Sequence, residues 1–81
     1  MFNSLQCLLM ENYREVLKKI GLNFRVERTK QMLSQERFAE RANVHTNYIG
    51  KVERGEQNLT IKKIVDLSNA LNISANKILD L

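Results

Sequence analysis

The chain has 81 residues, enough for one small domain whose core is modest and could be completed by a second subunit. Proline is absent and only three glycines occur, which favours helices with short connections, while the formal charge of +4 favours an anionic partner. One cysteine, Cys7, and one histidine, His45, exclude an internal disulfide and an ordinary zinc site, as expected for a reducing compartment.

The N-terminal segment is apolar, with leucines at positions 5, 8 and 9. It has no basic flank before it and no small-residue cleavage site after it, unlike a signal peptide, and it is too short to span a bilayer. Two interpretations remain: an extra amphipathic helix, or a natural start at Met10 preceded by an unstructured extension. We expect the helix, with residues 1–19 as an N-terminal extension and residues 20–81 as the compact domain.

The first helix of that domain is predicted from Ile20 to Met32. Phe24 would supply its main apolar contact, together with Leu22 and Val26. Arg25, Arg28 and Lys30 make the rest of this helix basic.

Two short helices follow, joined by a tight corner at residues 43–45. Ser34 can cap the first helix, and the second runs from about Thr46 to Arg54 before Gly55 stops it. Asn43 suits the left-handed backbone conformation that such a corner requires. The apolar positions expected to face inward are Phe38, Ala39, Ala42, Val44, Ile49 and Val52.

Two further helices are predicted after Gly55, with Thr60 as the N-cap of the first and Ser74 as the N-cap of the second. Inward positions are expected at Ile61, Ile64, Val65, Leu71, Ala75, Ile78 and Leu79. Leu67 and Ser68 are expected near the edge of the core.

The helix pair resembles the helix-turn-helix of the Cro/C1-type (XRE) DNA-binding family. The residues that carry the resemblance are Ser34-Gln35, Phe38-Ala39, Val44, Ile49, Val52 and Glu53-Arg54-Gly55. Within the family, Asn47-Tyr48-Ile49 followed by Asn58-Leu59-Thr60-Ile61 looks like the controller proteins of restriction–modification systems. The resemblance implies an all-α, compact five-helix lambda-repressor-like domain.

It also implies a sequence-specific regulator of transcription that binds double-stranded DNA. Its recognition helix, about residues 46–54, would dock in the major groove of a pseudo-palindromic operator. Thr46, Asn47 and Lys51 would then read bases: Asn pairs with adenine, Lys donates to guanine, and the Thr methyl touches thymine. The alternative is that these three side chains are only the solvated face of a surface helix.

Phosphate contacts are expected from Gln35 and Tyr48 and, around the following loop, from Asn58 and Lys62. Gln35 lies in the first turn of its helix, where free backbone N–H groups favour an anion. For Tyr48, packing of the ring is the competing explanation.

In the family, the arginine matching Arg28 pairs with the glutamate matching Glu53, so we expect a structural ion pair here. Two positions depart from the family pattern. His45 stands where Ser, Thr or Asp usually caps the recognition helix, and Thr46 stands where controller-type relatives often carry arginine. The operator should therefore differ from theirs.

The same resemblance implies a homodimer built by the C-terminal region, although its apolar residues could equally fill the domain's own core. The residues expected at the interface are Ile73, Ile78, Leu79 and Leu81.

Other functional classes find little support in the sequence. No paired carboxylates or phosphate-binding glycine loop indicate an enzyme, and no cofactor, metal, membrane or small-molecule ligand is expected. The rival class is a helix-turn-helix-shaped protein-interaction module, such as an antitoxin or anti-repressor, that docks a protein through its N-terminal segment. We expect a cytoplasmic protein.

Overall fold

The computed structural model describes residues 12–81, which form five α-helices and no β-strand. The helices are α1 (Tyr13–Lys30), α2 (Gln35–Ala42), α3 (Thr46–Glu53), α4 (Ile61–Ala70) and α5 (Ala75–Ile78). The predicted all-α architecture of five helices is confirmed. Residues 1–11, on which the two interpretations of the N-terminal segment depend, lie outside the described part.

Helix α1 begins at Tyr13 rather than at Ile20, because the side chain of Asn12 caps it by accepting from the Glu15 N–H at 3.0 Å. The helix continues without a break past residues 19 and 20, where the sequence placed a division. Leu22 and Val26 were wrongly expected to face inward, since they are 55% and 40% exposed. Each lies two residues from Phe24, about 200° around the helix from the buried face.

The core lies where the four longer helices and α5 meet. Its centre is the aromatic pair Phe24 and Phe38, with ring centroids 6.1 Å apart and planes tilted by 39°. The other fully or nearly buried members are Ile20, Ala39, Ile49, Val52, Ile64, Leu67, Leu71 and Ile78. Since these residues come from every helix, the core fixes α2 and α3 against the rest of the domain.

The buried face of helix α4 differs from the predicted one. Leu67 and Ser68 are fully buried instead of lying at the edge, and the Ser68 hydroxyl donates to the Ile64 carbonyl oxygen at 2.7 Å. This bond satisfies the hydroxyl and makes its burial inexpensive. Ile61 and Val65 are 65% and 38% exposed, because they lie about 60° and 100° around the helix from Ile64.

Helices α1 to α4 share one type of C-terminal cap. Each is followed by a residue with positive φ: Met32 at 58°, Asn43 at 56°, Gly55 at 72° and Asn72 at 56°. The N–H of the next residue then returns to a carbonyl one turn earlier. These bonds run from Leu33 to Arg28, from Val44 to Ala39, from Glu56 to Lys51 and from Ile73 to Ser68. This is the Schellman arrangement, which satisfies carbonyls that a helix end otherwise leaves unpaired.

Helix α1 crosses the end of α3 at Gly21. A Cβ atom at this position would lie 2.8 Å from the Glu53 carbonyl oxygen and closer still to that of Val52. Only a glycine lets the two backbones approach so closely. This crossing sets the position of α3 in the domain.

Candidate nucleic-acid interface

Helices α2 and α3 are held at a fixed angle by the corner between them. Ser34 caps α2 by accepting from the Arg37 N–H at 3.0 Å, and Asn43 ends it in the left-handed conformation, as predicted. Val44 is half-buried and packs against the core. His45 takes the N-cap position of α3, where its Nδ1 accepts from the Asn47 N–H at 3.1 Å. The imidazole thus replaces the usual hydroxyl or carboxylate cap.

A buried polar network locks the far end of α3. The Arg28 Nε and Nη2 groups donate to the two carboxylate oxygens of Glu53 at 2.7 and 3.0 Å. Arg28 Nη1 also donates to the Leu33 carbonyl oxygen at 2.6 Å. The side chains are only 11% and 3% exposed, so this pair joins α1 to α3 out of contact with bulk water.

Gln35 belongs to the same network, which the sequence did not indicate. Its amide Nε2 donates to Glu53 Oε1 at 3.0 Å. One amide hydrogen therefore forms a bond within the protein. The second can still donate to a phosphate, as the predicted contact requires.

The exposed side of α3 carries a polar cleft of about 220 Å³. Its lining residues are Gln35, Thr46, Asn47, Gly50, Lys51 and Arg54. All three predicted base-reading residues are therefore brought together on one surface of the helix. Arg54 also lines this cleft but was not among the predicted site residues, because its backbone lies at the helix end.

The remaining predicted phosphate contacts lie outside this cleft. Tyr48 is half-buried against the core, with Lys63 Nζ 5.6 Å from its ring centre. Burial raises the pKa of Tyr48 above its ordinary value of 10.0, so the hydroxyl stays protonated and able to donate. Lys62 is exposed at the start of α4 and pairs with Asp66 at 3.0 Å, and Asn58 is exposed in the preceding loop.

The C-terminal residues expected at a dimer interface divide into two groups. Ile78 is fully buried in the core, so it has no surface to offer a partner, and its assignment to the interface was wrong. Ile73 is half-buried against the core, while Leu79 and Leu81 are 36% and 52% exposed. The segment is held to α1 by the Asn23 amide, which donates to the Ile78 carbonyl oxygen at 2.9 Å.

Beside this contact, the buried carboxylate of Glu27 pairs with Lys30 at 2.9 Å and with Lys77 at 3.7 Å. The hydrogen bond from Lys30, aided by the charges of both lysines, lowers the pKa of Glu27 despite the opposing effect of burial. Glu27 thus ties α5 to α1.

Residues 12–81 contain no group of three or more histidine, cysteine or acidic side chains that could hold a metal ion. Within the same residues, no helix is both long and apolar enough to cross a bilayer.

Two short helices joined by a left-handed corner, the second with a polar exposed face, define a helix-turn-helix protein. The family model for this motif, HTH_3, matches residues 24–78, and the chain belongs to the helix-turn-helix family.

Restriction–modification control proteins are among its relatives. The chain is 39% identical to control protein C.SmaI of Serratia marcescens over 67 residues, which cover 83% of this chain and 80% of the relative. The crystal structure of the controller protein C.AhdI from Aeromonas hydrophila is 37% identical, with a TM-score of 0.73 over 76% of this chain and 94% of that one. The C.Esp1396I tetramer in complex with its natural 35-base-pair operator is 28% identical, with a TM-score of 0.74 over 80% of this chain and 86% of that one.

Proposed function

We propose that this chain is a regulator of transcription that binds double-stranded DNA sequence-specifically as a homodimer. Helix α3 would dock in the major groove of each half of a pseudo-palindromic operator, because an α-helix fits that groove and a two-fold dimer presents two of them. The proposed activity requires no catalytic group and no cofactor, and we propose that the protein acts in the cytoplasm, where it would meet its operator.

The observation that carries this proposal is the shared cleft of Thr46, Asn47 and Lys51 on α3. These side chains can donate to or accept from base edges, and no acidic residue lines the cleft with them. The Arg28–Glu53 pair and the His45 cap fix both ends of the helix, so little side-chain and backbone freedom would be lost on docking.

The dimer is proposed because Leu79 and Leu81 leave apolar surface uncovered and the chain is small. The relative C.Esp1396I occupies its operator as a tetramer, which fits two such dimers side by side. Tyr48, Asn58 and Lys62 are proposed to hold the phosphates that flank the groove, with Gln35.

The test is selection of bound fragments from a random DNA pool at about 150 mM salt, since salt controls non-specific affinity. Wild type is compared with a Thr46→Ala, Lys51→Ala double variant. A Lys18→Ala, Thr29→Ala variant removes the same two side-chain types from exposed positions of α1 and serves as the control. We expect a two-fold-symmetric consensus for wild type and control that the cleft variant loses. A consensus unaffected by the cleft variant, or none at all, would contradict the proposal.

A further inference from the structure

In the polar cleft, the guanidinium of Arg54 lies against Gly50. Gly50 lies in the middle of α3, between Asn47 and Lys51, and a Cβ atom on it would lie 3.0 Å from Arg54 Nη1 and 3.8 Å from Gln35 Oε1. A side chain at position 50 would therefore press on the end of the guanidinium and require it to shift by a few tenths of an ångström.

Arg54 is folded back along α3 by the local backbone. It is the C-cap residue, and helical side chains lean toward the N-terminus. The left-handed Gly55 then turns the chain so that the Glu56 N–H reaches the Lys51 carbonyl oxygen at 2.8 Å. This turn brings Glu56 next to Arg54, and the Glu56 carboxylate accepts a hydrogen bond from Arg54 Nε at 3.1 Å.

The charge pair leaves the far end of the guanidinium unused. Glu56 occupies the Nε edge, and within residues 12–81 neither Nη group is hydrogen-bonded to a protein acceptor. Both Nη groups can therefore donate in parallel, the pattern that matches the O6 and N7 acceptors of guanine in the major groove. The position among Thr46, Asn47 and Lys51 places this donor pair with the base-reading side chains rather than on the flank of the domain.

The geometry points to Arg54 as a further specificity-determining residue that donates through its two Nη groups to a guanine in each operator half-site. Gly50 and Glu56 are positioning residues, the first by leaving the space open and the second by orienting the guanidinium. This inference rests on the proposed DNA-binding function and adds a base contact to it.

The experiment measures binding of the full chain to the wild-type consensus and to duplexes that carry each single base-pair change, at fixed salt. Arg54→Ala is expected to reduce the preference for guanine at one position per half-site by about 5- to 150-fold, the discrimination of one bidentate contact, and to leave other positions unchanged. Gly50→Ala is expected to relax the same position, because its methyl group displaces the guanidinium. Glu56→Gln should relax that position by a smaller factor.

Lys62→Ala serves as the matched control, since it also removes one exposed cation but lies outside the cleft. It should weaken all duplexes alike and reduce the salt slope by about one. The same uniform behaviour in Arg54→Ala would identify a phosphate contact and overturn the inference, as would an unchanged consensus. If wild type itself selects no consensus, the proposed function fails; if wild type selects one that Arg54→Ala preserves, only the inference fails.

Discussion

Arg28 Nε lies 2.7 Å from Glu53 Oε2, although the two residues are 25 positions apart in the chain. The Glu53 carboxylate receives hydrogen bonds from both Arg28 and Gln35, so α1, α2 and α3 meet at one side chain. The Arg28–Glu53 pair therefore holds the three helices in their relative positions.

Arg28→Ala should lower the free energy of unfolding by about 3–5 kcal/mol, because it strands a buried carboxylate. Urea denaturation measures this loss. Lys62→Ala breaks an exposed pair with Asp66 and should cost no more than about 1 kcal/mol. Equal, small losses in the two variants would show that burial of the Arg28–Glu53 pair contributes nothing to stability.

Gly21 and Gly50 both lie in helices, yet alanine should have opposite effects at the two positions. At Gly21 a Cβ atom meets the backbone carbonyls of Val52 and Glu53, so Gly21→Ala should destabilise the fold by about 1–3 kcal/mol. At Gly50 it meets only the ends of two side chains, and the better helix propensity of alanine should leave stability unchanged or raised by up to about 1 kcal/mol. Thermal unfolding of both variants compares them directly, and a destabilised Gly50→Ala protein would contradict this difference.

The helix-turn-helix boundaries could be predicted from sequence because local chemistry fixes them: Ser34 caps α2, and Asn43 and Gly55 adopt left-handed conformations. The start of α1 was missed although Asn12, three residues before Glu15, offered a cap, because the apolar pattern continues upstream of it.

The placement of Arg54 could not be predicted from spacing. It depends on an absent Cβ atom at Gly50 and on the chain reversal that returns Glu56, both of which are three-dimensional relationships. The burial of Ser68 was missed for a related reason, since its hydroxyl is satisfied by its own helix.

Met32 is the exception among the four left-handed helix caps, since the other three are Asn or Gly. It is 92% exposed, so its side chain gains little by burial while its Cβ is strained. Met32→Gly should therefore raise the free energy of unfolding by about 1 kcal/mol and the melting temperature by about 4–8 °C. Asn72→Gly is the control and should change stability less, because asparagine already tolerates this conformation. A lower melting temperature for Met32→Gly would mean that the side chain has a stabilising contact.

The depressed pKa of Glu27 predicts a specific acid sensitivity. The group is ionised in the folded protein at pH values where the unfolded chain, with an ordinary value of 4.5, already binds a proton. Its stabilising contribution is thus fully present above pH 4.5 and is lost as the pH falls through the lower folded-state pKa. Between pH 6 and 3, wild type should lose more stability than Glu27→Gln, as measured by urea denaturation across that range. Parallel pH profiles would exclude this role for Glu27.

His45 caps the recognition helix through a ring nitrogen, and this bond links stability to the proposed docking surface. His45→Ala should cost about 0.5–2 kcal/mol, because the Asn47 N–H loses its acceptor, whereas His45→Thr restores a hydroxyl acceptor and should recover most of that loss. The first turn of α3 carries Thr46 and Asn47, so a frayed turn should also weaken operator binding in His45→Ala more than in His45→Thr. Thermal unfolding and titration of the selected operator, with both variants at one salt concentration, measure the two effects. If His45→Thr restored stability but not affinity, the imidazole would itself contact DNA, and capping would account for only the stability.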